Sequence, residues 1–113
     1  MDLSLSGKAA LLTGASRGLG FATAQVLAGE GAHIAINSRD PNQLSAARNK
    51  LDKFGGEVIA LPGDVMEPNT PQKLVKAAAD AFGGLDLLFT NASGPPPGAF
   101  EEIKEDAWQK AFS

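Results

Sequence analysis

Residues 8–20 are KAALLTGASRGLG, a short apolar run followed at once by a glycine-rich turn and then by a helical pattern. The apolar run predicts a buried parallel strand that enters a tight turn at Gly14. Glycine permits backbone angles closed to other residues and lets the backbone approach a ligand, while the N-terminus of a helix attracts negative charge. The segment therefore predicts a strand, a turn and a helix that bind a pyrophosphate.

Outward from this turn, strand and helix patterns alternate. Further strands are predicted over residues 33–38, 57–61 and 85–90. The first helix carries Leu19, Ala22, Val26 and Leu27 at helical spacing, and two more are expected from Asp40-Pro41 to about Phe54 and over residues 70–82. Residues 91–98 contain three prolines in succession and cannot be regular, and a last helix is expected from Glu101 onward.

This alternation predicts right-handed βαβ units, since near-continuous apolar strands are typical of a parallel sheet covered on both faces. The fold class is therefore α/β, a Rossmann-type doubly wound parallel sheet of about four strands with flanking helices. Residues 1–113 are expected to form one domain.

Composition narrows the class of protein. No apolar run approaches the roughly 20 residues that a membrane span needs, and residues 1–8 do not resemble a secretory signal. The chain has no cysteine, so no disulfides are expected and the cytoplasm is the default compartment.

The charge distribution is uneven. The formal net charge of −3 argues against a general nucleic-acid binder, which needs a basic face. Residues 1–56 carry six Lys/Arg against four Asp/Glu, and residues 57–113 carry four against nine, giving +2 and −5. This asymmetry suits an anionic ligand held by the first half.

The turn departs from the usual dinucleotide fingerprint, because its glycines fall at the first, fifth and seventh positions rather than the first, third and sixth. The pattern Thr-Gly-x-x-x-Gly-x-Gly resembles the N-terminal half of the classical short-chain dehydrogenase/reductase family. The resemblance extends to Asp64-Val65, Asn91-Ala92 and Trp108, although Ser93 stands where the family usually has glycine. It implies cofactor contacts at Gly14, Ser16, Arg17, Gly18, Leu19, Gly20, Asn37, Ser38, Arg39, Asp64, Val65, Asn91, Ala92 and Ser93.

The end of the second strand decides between NADP and NAD. An acidic residue there would bind the ribose 2′-OH of NAD and repel the 2′-phosphate of NADP. Here Ser38 and Arg39 can both donate to a phosphate, and Arg17 resembles a second basic residue of NADP-preferring members. Asp40 is the counter-argument, but its place before Pro41 is better explained as a helix cap. NADP is therefore the expected cofactor and NAD the less favoured one.

No catalytic residue is expected in this chain. The resemblance implies a Ser, a Tyr and a Lys, with the Tyr as acid or base, yet the 113 residues contain no tyrosine. His33, the only histidine, is expected to be structural, and the acidic cluster Glu101, Glu102, Glu105 and Asp106 has no His or Cys partner for a transition metal. The sequence is expected to stop before the catalytic half. Residues 87–89 are then expected to form an exposed sheet edge, so that the chain self-associates or is poorly soluble.

The resemblance implies an oxidoreductase that transfers hydride between a nicotinamide and a carbonyl or hydroxyl group of a small molecule. The turn Gly94-Pro95-Pro96-Pro97-Gly98 is similar to that of 3-oxoacyl-carrier-protein reductase-like members, and family members are commonly homo-oligomers. Two alternatives remain: a non-catalytic nucleotide-binding or interaction module, and a methyltransferase-type nucleotide fold. Asn91-Ala92 and the arginine pair Arg17 and Arg39 disfavour the methyltransferase.

Overall fold

A computed structural model describes residues 5–90 and the backbone of residues 99–102. Some of the sequence predictions concern residues outside this range: Asn91, Ala92, Ser93, the proline-rich turn and Trp108. The elements, in chain order, are β1 (Ala9–Leu12), α1 (Gly18–Gly29), β2 (His33–Ser38), α2 (Pro41–Leu51), β3 (Val58–Pro62), α3 (Thr70–Phe82), β4 (Leu87–Thr90) and β5 (Ala99–Glu102).

The strands form one sheet in the order β3-β2-β1-β4-β5, with β1 to β4 parallel. Helices α1 and α2 cover one face and α3 covers the other, because the chain crosses back over the sheet between β3 and β4. The carboxyl ends of β1, β2 and β3 therefore meet along one edge. This arrangement confirms the predicted doubly wound parallel sheet.

The fifth strand corrects two predictions. Strand β5 pairs antiparallel with β4, with Leu87 opposite Glu102 and Thr90 opposite Ala99. Glu101 and Glu102 therefore lie in a strand, not in the predicted helix, and β4 is not the exposed edge that was expected. The acidic residues would suit the first turn of a helix. The backbone N–H and C=O groups along the edge of β4 need hydrogen-bond partners, however, and residues 99–102 pair with them as a strand. The expected self-association through β4 loses its basis.

Helix α1 also differs from the prediction in the face that it buries. Its buried residues are Gly20, Ala24, Leu27 and Ala28, whereas Leu19 and Val26 are 55% and 57% exposed. A Cβ atom at Gly20 would lie 2.5 Å from the carbonyl oxygen of Gly14. The start of α1 is thus pressed against the glycine turn, and this close approach fixes the rotation of the helix so that small side chains face the sheet.

Helices α2 and α3 have the predicted bounds, except at the C-terminal end of α2. Asp40 caps α2 by accepting hydrogen bonds from the backbone N–H groups of Asn42 and Gln43, and Pro41 follows it, as predicted. Helix α2 ends at Leu51 rather than near Phe54, whose N–H turns back to the carbonyl of Leu51. Helix α3 spans the predicted residues and buries Leu74 and Ala78. No helix in the described part of the chain is long and apolar enough to span a membrane.

Candidate functional site

A cleft of about 910 Å³ opens where β1, β2 and β3 end. Its volume lies within the range of small-molecule sites, and its position is where parallel α/β sheets bind ligands. Three chain segments line it, each at the carboxyl end of one of the three strands or just after it: Gly14, Ser16, Arg17 and Gly18; Asn37, Ser38, Arg39, Asp40 and Gln43; and Gly63, Asp64, Val65 and Met66.

The glycine turn is held by backbone hydrogen bonds to the strands beside it. The N–H of Thr13 donates to the carbonyl of Phe89 at 3.0 Å, and the N–H of Ala15 donates to the carbonyl of Asn37 at 2.9 Å. Gly14 and Gly18 adopt φ of 61° and 63°, which favour glycine over other residues. These bonds tie the turn to β2 and β4.

The N-terminus of α1 faces this cleft without a side-chain cap. Arg17 occupies the cap position, its side chain makes no capping hydrogen bond, and the first turn holds no acidic residue. Within the described part of the chain, no side chain caps the backbone N–H groups of this first turn. Uncapped amides and the positive end of the helix dipole together form a site that suits an anion.

Two arginines add positive charge to the cleft. Arg17 comes from the glycine turn and Arg39 from the end of β2, and both are exposed. Within residues 5–90 the one salt bridge joins Lys76 and Asp80, so neither arginine is paired with a carboxylate there. Their guanidinium groups can bind a phosphate in a forked, two-bond geometry.

A chain of polar side chains connects the turn to β2 and α2. The hydroxyl oxygens of Ser16 and Ser38 are 3.0 Å apart, and the Ser16 hydroxyl donates to Oε1 of Gln43 at 3.5 Å. The hydroxyl oxygen of Ser38 also accepts from the backbone N–H of Asp40 at 3.3 Å. Both serines were predicted to contact the cofactor, and the structure brings them side by side.

Asn37 lines the cleft and also links two strands of the sheet. Its side chain is 2% exposed, and its Nδ2 donates to the carbonyls of Leu61 at 2.8 Å and Gly63 at 3.1 Å. These bonds tie the end of β2 to the end of β3. The amide nitrogen is thus engaged in positioning the third lining segment, and a direct contact between Asn37 and a cofactor stays a prediction.

Asp64 and Val65 begin the lining segment that follows β3. Oδ1 of Asp64 accepts from the backbone N–H of Met66 at 2.9 Å, which is a turn of the kind that aspartate favours. The second carboxylate oxygen has no hydrogen-bond partner among the described residues. Asp64 therefore has a structural role and retains an acceptor oxygen, and its contact with an adenine stays a prediction.

The lining does not coincide with the predicted set. Leu19 and Gly20 do not line the cleft, although both belong to the first turn of α1. Sequence reasoning missed the lining positions of Gln43, Gly63 and Met66, and it assigned Asp40 only to the helix cap. The place of Gln43, three residues after the capping Asp40, predicts a contact with the helix cap and not a position in the cleft.

Other candidates lie away from the cleft. His33 sits at the opposite end of β2, where its Nδ1 accepts from the N–H of Glu57 at 3.0 Å and its ring stacks on Phe82. This is the structural role that was predicted. No group of three or more metal-binding side chains occurs in the described part of the chain.

A smaller cavity of about 230 Å³ adjoins the cleft at Val65 and Met66 and is mostly apolar.

The sequence profile of the short chain dehydrogenase family matches residues 8–113, which include every segment of the cleft. The chain belongs to the short-chain dehydrogenase family. It is 44% identical over 100 residues to a glucose 1-dehydrogenase from Gluconobacter oxydans, covering 88% of this chain and 38% of the relative. It is 41% identical over 110 residues to a ketoacyl reductase from a Nostoc species, covering 97% of this chain and 38% of the relative.

Solved structures in the family agree with the fold. The structure of L-sorbose reductase from Gluconobacter frateurii, complexed with NADPH and L-sorbose, superimposes with a TM-score of 0.77 at 37% identity. That match covers 96% of this chain and 42% of the reductase. Both NADP-bound and NAD-bound structures occur among the matches. The chain spans about two fifths of the length of these relatives.

Proposed function

We propose that this chain forms the cofactor-binding part of an NADP(H)-dependent short-chain dehydrogenase. The whole protein would transfer hydride between the nicotinamide and a carbonyl or hydroxyl group of a small molecule. One observation carries the proposal: Arg17 and Arg39 line a cleft with an uncapped helix N-terminus, and neither is paired with a carboxylate in the described chain. Such a site suits a dinucleotide with an additional phosphate.

The end of β2 supports NADP over NAD. Ser38 ends the strand where an acidic residue would bind a ribose 2′-OH, and Arg39 follows it. Asp40 follows Arg39, but its Oδ1 accepts from the N–H groups of Asn42 and Gln43, so the cap of α2 accounts for an acidic residue at this position. NADP-bound and NAD-bound relatives both exist, so the family alone does not decide the cofactor, and the proposal depends on these side chains.

The lining segments suggest a division of roles. The backbone of Gly14, Gly18 and the first turn of α1 would hold the pyrophosphate. Asp64 and Val65 would contact the adenine, and the predicted contacts of Asn91, Ala92 and Ser93 would continue along the cofactor. When bound, the nicotinamide supplies or accepts the hydride.

The acid or base of the reaction is proposed to come from outside these residues. The 113 residues contain no tyrosine, and no residue of the cleft is assigned a catalytic role. We therefore propose that residues 1–113 act as a single cofactor-binding domain that does not reduce carbonyls alone. Assembly of the whole protein into a homo-oligomer also stays a prediction.

The substrate class is proposed from the proline-rich turn. Residues 94–98 favour a 3-oxoacyl thioester, and one relative is named a ketoacyl reductase. Sugars are the second candidate, because other relatives are named glucose 1-dehydrogenase and L-sorbose reductase. Only the residues of the whole protein that contact the substrate can separate these classes.

The test is a panel of substrates supplied to the full-length protein with NADPH or NADH. We expect consumption of NADPH with a 3-oxoacyl thioester, and turnover of hexoses alone would favour the second class. S-adenosylmethionine serves as a control ligand for the methyltransferase alternative. Binding of NADPH without turnover of any ketone or alcohol would support the non-catalytic module instead.

A further inference from the structure

Gln43 does not make the contact that its local sequence predicts. The segment Asp40-Pro41-Asn42-Gln43 has the spacing of a capping box, in which the residue three positions after the cap reaches back to the backbone N–H of the cap. Here the hydroxyl oxygen of Ser38 accepts from the N–H of Asp40. The side chain of Gln43 is thereby left without this local partner.

The side chain of Gln43 instead crosses to the glycine turn. Its Oε1 accepts from the hydroxyl of Ser16, which is 27 positions away in sequence, and the residue lines the cleft while remaining exposed. Gln43 therefore contacts Ser16, whose hydroxyl oxygen lies 3.0 Å from that of Ser38, the residue before Arg39. No part of the family resemblance pointed to this residue.

We propose that Gln43 is a specificity-determining residue that favours a cofactor bearing a 2′-phosphate. This inference rests on the proposed function, since it concerns the same cleft. The amide of glutamine offers an acceptor on one side and two donors on the other, so a half-turn of the group presents NH₂ where the oxygen now lies. In that orientation Gln43 donates to a phosphate oxygen beside Ser16 and Ser38.

The lack of a negative charge at residue 43 favours NADPH over NADH. A phosphate monoester carries between one and two negative charges at neutral pH. A carboxylate in place of the amide could neither donate nor rotate into a donor, and it would repel the phosphate at short range. A ribose 2′-OH is neutral and can donate to a carboxylate, so NADH would not be repelled in the same way.

The experiment compares Gln43→Glu with Asn42→Asp in the full-length protein. Asn42 is the adjacent exposed residue in the first turn of α2, and it does not line the cleft. Both variants add one negative charge to a helix N-terminus, where it is favourable, so both are expected to fold. NADPH and NADH are titrated by cofactor fluorescence, and circular dichroism checks the fold of each variant.

We expect Gln43→Glu to weaken NADPH binding about tenfold or more, with NADH binding changed by less than about threefold. Asn42→Asp should change either affinity by about twofold or less, because Asn42 does not line the cleft and a charge on this exposed residue is screened by solvent and salt. Equal losses in the two variants, or no loss in Gln43→Glu, would overturn the role of Gln43. A parent protein that binds neither nucleotide would refute the proposed function itself, and this outcome is distinct from a failure confined to Gln43.

Discussion

At the scale of single residues, two arginines without a described salt bridge supply the positive charge of the cleft, whose lining also includes Asp40 and Asp64. Arg17 precedes the first turn of α1 and Arg39 follows the last residue of β2, so the fold places cations from two segments around one space. Both guanidinium groups are therefore available to a phosphate in the cleft.

We predict that Arg39→Ala lowers NADPH affinity by at least about tenfold and leaves NADH affinity nearly unchanged, because a charge-assisted contact to the 2′-phosphate is lost. Fluorescence titration of both nucleotides measures the change. Arg48→Ala, on α2 but outside the cleft lining, is the matched control and should affect neither. An unaltered NADPH affinity in Arg39→Ala would remove Arg39 from the phosphate site.

A second prediction concerns the glycine that α1 presses against the turn. Gly20→Ala should lower the free energy of unfolding by about 1–3 kcal/mol, because its Cβ would lie 2.5 Å from the carbonyl oxygen of Gly14. Gly29→Ala in the same helix is the control, since its nearest neighbour is Phe54 at 3.9 Å. The control should stay within about 1 kcal/mol of the parent, on the stabilising side.

Urea denaturation measures both glycine variants. Equal stability of Gly20→Ala and Gly29→Ala would show that the contact between α1 and the turn can relax. The rotation of α1 would then need another explanation than the close approach at Gly20.

At the scale of elements, the sequence predicted those features of the helices that depend on interactions between neighbouring residues. The cap at Asp40, the proline after it and the bounds of α3 all follow from residues close in sequence. The buried face of α1 could not be predicted in this way, because it depends on contact between Gly20 and the turn. Strand β5 likewise depends on β4 as a backbone partner, which the acidic residues Glu101 and Glu102 do not reveal.

The cap of α2 gives a prediction at this scale. Asp40→Ala should destabilise the protein by about 1 kcal/mol, because the N–H groups of Asn42 and Gln43 lose their acceptor. Asp40→Asn keeps an acceptor oxygen and should retain most of the stability. Thermal unfolding followed by circular dichroism compares the two variants. A loss in Asp40→Asn as large as that in Asp40→Ala would mean that the charge, rather than the cap, stabilises α2.

At the scale of the whole molecule, the sheet joins segments that are far apart in sequence into one site. The parallel order of β3, β2 and β1 brings their carboxyl ends together, and most of the predicted lining residues are found there. The sequence predicted these segments because strand ends carry the motifs. It could not predict the lining by Gln43, since a serine displaces the glutamine from its usual capping contact.

The central claim is that this cleft is built for a dinucleotide with a 2′-phosphate. Calorimetric titration of the full-length protein with NADPH and with NADH tests it most directly. The arginines, the serines and the uncapped helix predict that NADPH binds at least about tenfold more tightly than NADH. Equal affinities, or tighter binding of NADH, would contradict this account of the cleft.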